Sequence, residues 1–78
     1  MSKRLEAMRA NPAGDWTIRD VEAVCLEFDV VCTPPRSGSH YKIKHPSQPD
    51  MLTVPFRRPI KQTYIRRLVS FIDKVRSS

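Results

Sequence analysis

Both histidines of this 78-residue chain fall within ten residues, Ser37-Gly38-Ser39-His40-Tyr41-Lys42-Ile43-Lys44-His45-Pro46. Lys42 and Lys44 lie among them and Arg36 just before. Imidazole exchanges a proton near neutral pH, and cations beside it hold phosphates and oppose developing negative charge. Neighbouring lysines also disfavour the imidazolium, which keeps a histidine available as a neutral base. A phosphodiester next to a ribose 2′-OH fits such a set: the base takes the hydroxyl proton and the oxygen attacks the adjacent phosphorus. That reaction needs neither metal nor cofactor. The donors do not suggest a metal centre either, because His40 and His45 are five apart and Asp50 is their nearest carboxylate. Spacing alone leaves a plainer reading open, an exposed strand histidine between lysines with no role.

The elements around this stretch decide which of its side chains act together. Residues 39–45 read as a strand, on which alternate residues share a face. His40, Lys42 and Lys44 then point to an open side, and Tyr41 and Ile43 point to a core. His45 belongs to the second set, but it precedes Pro46 at the strand end, where alternation is a weak guide. The turn "RSGS" leads in, with Gly38 free to take a positive φ.

Upstream, residues 2–10 can form a short helix that Asn11-Pro12 ends. A second helix starts after Thr17, a good N-cap with Asp20 at the third helical position, an acidic capping box. Val21, Val24, Cys25 and Phe28 form one apolar stripe on it, and Trp16 is placed to pack on that stripe. The β-branched residues 30–33 read as a first strand that Pro34-Pro35 stop. "PSQPD" turns the chain after the second strand, and "MLTVPF" reads as a third. From about Lys61, the residues Ile65, Leu68, Val69, Ile72 and Val75 mark a long amphipathic helix. Arg66 and Arg67 fall on its solvent side. The order is α-α-β-β-β-α, an α+β fold with a three-stranded antiparallel sheet and helices packed on one face. Residues 1–16 are read as an N-terminal helical extension and 17–76 as a single domain.

Length and charge bound the rest. One core fits 78 residues, with a stability of roughly 4 to 12 kcal/mol. No run approaches the ~18 apolar residues of a membrane helix. The charged start MSKRLEAMRANP has no apolar core like that of a secretory signal, so the protein is read as cytoplasmic. Cys25 and Cys32, seven apart, show no metal-ligand spacing and read as two reduced core thiols. The net charge of +6 is uneven: residues 1–33 carry 4 cations and 6 acids, residues 34–78 carry 10 cations and 2 acids. A half-molecule at +8 favours a polyanion such as nucleic acid, the alternative being a surface kept soluble by repulsion. Arg57, Arg58 and Lys61 precede or open the last helix. Cations at a helix N-terminus make a natural phosphate site, with a solvated basic loop as the alternative.

The segment "GSHYKIKHPSQPDMLTVP", Gly38 to Pro55, resembles the strand-turn-strand signature of HicA (YcfA-like) toxins. That signature has a Gly-Ser-His opening, a "KHP" close and a "TVP" in the following strand. The flanking helices fit the same layout, so the resemblance spans roughly residues 17–75. It implies a double-stranded-RNA-binding-domain-like fold and a metal-independent ribonuclease, an mRNA interferase with messenger RNA as substrate. It implies a HicB antitoxin as the blocking partner. It also implies His40 as the catalytic base, with Gly38 and Ser39 of the same motif in support; Lys42, Lys44, Arg57, Arg58 and Lys61, the cations of the strand row and the basic loop, are the residues expected to hold RNA. The chain departs from the pattern where many members have two further histidines: Tyr41 stands at one place and Phe56 at the other. A proton for the leaving 5′-oxygen would then come from His45 as an auxiliary acid, from Lys42 or from water. A non-catalytic RNA-binding module on the same fold, a DNA-binding regulator and a pure interaction protein remain as other readings.

Overall fold

A computed structural model describes residues 2–77 of the chain. The elements are α1 (Lys3–Ala10), α2 (Ile18–Glu27), β1 (Val31–Thr33), β2 (His40–Lys44), β3 (Leu52–Pro55) and α3 (Gln62–Ser77). The strands form one antiparallel sheet in the order β1-β2-β3. This is the α-α-β-β-β-α order and the α+β class that the sequence predicts.

Local contacts cap α1 and α2. The Ser2 hydroxyl accepts from the Leu5 N–H at 3.0 Å and caps α1. At α2 the Asp20 carboxylate accepts from the Thr17 N–H at 2.9 Å and from the Thr17 hydroxyl at 3.0 Å, the expected acidic capping box. The far end of α2 closes in a Schellman motif. Asp29 takes φ 56°, the Val30 N–H donates to the Cys25 carbonyl at 2.9 Å, and the Asp29 N–H donates to that of Leu26 at 3.4 Å. The sequence reading starts the first strand at residue 30; the structure starts it at Val31, because the Val30 N–H closes the helix. The other strands also contract: β2 runs His40–Lys44 without Ser39 and His45, and β3 excludes the exposed Met51 and Phe56.

α2 packs on β1 and α3 on β3, which places both against one face of the sheet. Ile43 and Val54 face inward and are fully buried with Val21, Val24, Cys25, Ile65, Leu68 and Ile72. Val69 and Val75 complete the expected stripe of α3, and Phe71 joins them at its margin. α1 lies against α3 and α2 and inserts Leu5 and Met8, both fully buried, into the same core. Arg9 braces this contact with two hydrogen bonds, at 2.7 and 2.8 Å, to the Asp73 carboxylate on α3. Trp16 packs on the core as expected, and its indole N–H donates to the Asn11 carbonyl at 2.7 Å. Among the described residues, no helix is long and apolar enough to cross a membrane.

Candidate nucleic-acid interface

β2 carries the histidine row as its alternation predicts. His40, Lys42 and Lys44 are exposed, Ile43 is buried and Tyr41 partly so. Lys42 is flanked by Thr33 on β1 and Thr53 on β3, both exposed on the same open face. Among the described residues no helix covers this side, so the sheet presents a cationic strip to solvent.

His40 stands at one end of that strip. Gly38, at φ +90°, turns the chain into β2. A Cβ there would meet nothing within 4 Å, so glycine is required by the backbone rather than by crowding. Ser39 then fixes the start of the strand, because its carbonyl accepts from the Phe56 N–H at 3.0 Å. That bond extends the β2–β3 ladder one step past the His40↔Pro55 pair. The Ser39 hydroxyl lies 3.5 Å from Nδ1 of His40, a long contact that leaves the ring accessible.

The fold joins this strand end to the basic loop. Ser39, His40, Phe56, Arg57, Arg58 and Lys61, with Pro55, Pro59 and Tyr64, line one groove of about 810 Å³. The loop is held in place by the Ile60 N–H, which donates to the Trp16 carbonyl at 2.9 Å while the Ile60 side chain is buried. The Lys61 carbonyl accepts from the N–H groups of Tyr64 and Ile65 at the start of α3. The lysine therefore stands at the positive end of that helix.

The groove cations differ in availability. Arg58 donates to both oxygens of Asp15, at 2.9 and 3.4 Å. The hydrogen bond and charge of Arg58 hold the Asp15 carboxyl below its ordinary range, and Asp15 raises Arg58 in return. Among the described residues, neither Arg57 nor Lys61 has an ion-pair partner. Lys42 and Lys44 are likewise unpaired but line the strip rather than the groove.

His45 is not brought to His40. It follows the far end of β2, roughly 17 Å along the strand at about 3.3 Å per residue. There it lines a separate hollow of about 380 Å³ with Val31, Thr33, Lys44, Pro46 and Asp50. Its Nδ1 accepts from the Ser47 N–H at 3.1 Å and lies 2.7 Å from the Ser47 hydroxyl.

Two groove residues carried little sequence signal. Tyr64 precedes the first buried residue of the α3 stripe, and only its position three residues after Lys61 ties it to the basic loop. Phe56 registers in the sequence as the end of the third strand and as a departure from a motif, neither of which ties it to the groove. Neither cysteine is in a disulfide; the Cys25 thiol is pushed up by its hydrogen bond with Cys32 and by burial. Among the described residues, no three His, Cys, Asp or Glu side chains gather as metal donors. Family models, curated proteins and solved structures provide no match to this chain.

Proposed function

We propose that this chain is a metal-independent endoribonuclease that cuts messenger RNA in the cytoplasm, like the HicA toxins its β2–β3 segment resembles. One juxtaposition carries the reading. An exposed histidine shares a groove with Arg57, Lys61 and the N-terminal end of α3, features that each suit a phosphate.

In this reading His40 accepts the proton of a ribose 2′-OH. The O2′–P bond forms as the P–O5′ bond breaks, leaving a 2′,3′-cyclic phosphate and a 5′-hydroxyl. Arg57 and Lys61 oppose the charge that grows on the phosphoryl oxygens. Lys42 and Lys44 hold the strand where it leaves the groove along the open face. Ser39 and Gly38 set the position of the histidine. His45 lies too far along β2 to protonate the leaving oxygen, so water takes that part. A double-stranded-RNA-binding-domain-like label for the layering, and a HicB-type antitoxin as the neutralising partner, belong to the same proposal and rest on the resemblance.

A non-catalytic RNA-binding module is the second reading. The long Ser39–His40 contact and the distant second histidine favour it, since among the described residues no side chain orients the imidazole tightly. RNA cleavage in EDTA by the parent protein and by an equally folded His40→Ala variant separates the two. Cleavage by the parent alone supports the ribonuclease. Binding without cleavage by both proteins supports the module, and cleavage lost on chelation removes the metal-free mechanism.

A further inference from the structure

Among the groove-lining side chains, one is both large and apolar and yet stands open to solvent. Phe56 is 46% exposed, although it follows a strand whose inward residue Val54 is fully buried. Its backbone is pinned by the hydrogen bond from its N–H to the Ser39 carbonyl, one residue from His40. Its ring makes a T-shaped contact with Tyr41, at a centroid distance of 6.2 Å and an interplanar angle of 61°. A T-shaped contact orients an aromatic ring without stacking a second ring parallel to it. Tyr64 lines the same groove, and Arg57 and Lys61 line it too, with charges that have no ion-pair partner among the described residues. An oriented, half-open aromatic ring next to phosphate-holding cations has the composition of a single-strand platform, in which bases stack while the backbone follows the charge.

We propose that Phe56 is a nucleobase-stacking residue, which holds the base next to the phosphate that His40 addresses. The proposal rests on the ribonuclease reading for the phosphate, but it makes a separate claim about the base. A stacked base must be unpaired, so Phe56 restricts the groove to single-stranded RNA. Stacking tolerates every base, because each has a π face. Phe56 thus supplies position and strandedness rather than sequence preference.

The test uses the full chain and a short 2′-O-methyl RNA carrying 2-aminopurine, which lacks the attacking hydroxyl. Affinity and fluorescence are measured for the parent, Phe56→Ala, Phe56→Trp and Arg57→Ala, single-stranded and as a duplex, over a range of salt. Phe56→Ala is expected to weaken single-strand binding by roughly 5- to 150-fold, the range for loss of one stacked base. Its salt dependence should be unchanged, whereas Arg57→Ala should flatten it. Phe56→Trp should keep the affinity and the quenching of 2-aminopurine. Near-parental affinity and quenching in Phe56→Ala, with Arg57→Ala still weakened, would overturn the stacking role and leave the ribonuclease reading standing. Equal affinity of the parent for duplex and single strand would also overturn it. An absence of RNA binding by every protein at low salt would remove both. Should Phe56→Ala melt early, the Trp variant and the parent's own quenching still decide.

Discussion

Leu5→Ala asks whether the first helix is an accessory or part of the core. Leu5 is 0% exposed and sits in the cluster formed by α2, α3 and the sheet. The substitution removes three carbons, about 2.4 kcal/mol at ~0.8 kcal/mol per buried CH₂. Incomplete collapse of the void, at about 24 cal/mol per Å³, adds on the order of 1 kcal/mol. The expected loss is roughly 3 to 4 kcal/mol, against a total of about 4 to 12 kcal/mol for a chain this size. With only eight residues, α1 is far below the ~12–15 at which an isolated helix persists in water. Its helicity is therefore lost with its docking, and the loss is global. Urea unfolding followed by circular dichroism reads this directly. At an m-value of about 1–3 kcal/mol/M, the midpoint should fall by roughly 1–4 M with little change in slope. A midpoint equal to the parent's, beside a clear fall for Leu68→Ala in α3, would refute the reasoning and make residues 1–16 a separable extension.

Four further outcomes can be measured. Asp29→Gly should stabilise the protein by about 1 kcal/mol in the same urea assay, because φ 56° costs aspartate strain that glycine avoids. Gly38→Ala should destabilise it by about 1–2 kcal/mol although the space is open, since φ +90° is strained for any side chain. Asp15→Asn should free Arg58 and steepen the salt dependence of RNA binding by up to about 0.7 per added phosphate contact, read by fluorescence anisotropy. The Arg9 hydrogen bonds hold the Asp73 carboxyl below its ordinary range, so their stabilisation is present above the usual carboxylate pKa and is lost as pH falls through the depressed value. Asp73→Asn should therefore lower Tm at neutral pH, by a gap that closes in acid when the melting of both proteins is followed.

Local chemistry made most of this fold legible in the chain. Alternation along residues 40–44 sets which side chains face the core, and capping chemistry at Thr17 and Asp20 sets where α2 begins. Glycine at position 38 and the two prolines after Thr33 mark the turn into β2. These signals work because each depends on neighbours within about one turn or one strand pair. The long stripe of α3 was readable for the same reason.

Only tertiary packing decided what these elements hold together. The stop at Asn11-Pro12 marks a short helix over residues 2–10, but not that its Leu5 and Met8 lie in the common core, because burial depends on the partner's surface. The Val30 N–H joins the helix end rather than the strand, a choice between two backbone acceptors that composition does not resolve. The two histidines, near neighbours in the chain, end in separate hollows because an extended strand carries them apart. His40 meets Arg57 and Lys61, some twenty residues away, because antiparallel pairing of β2 with β3 returns the chain to its own start. The charges and the histidine were determined by sequence; the groove that unites them exists only after the strands pair.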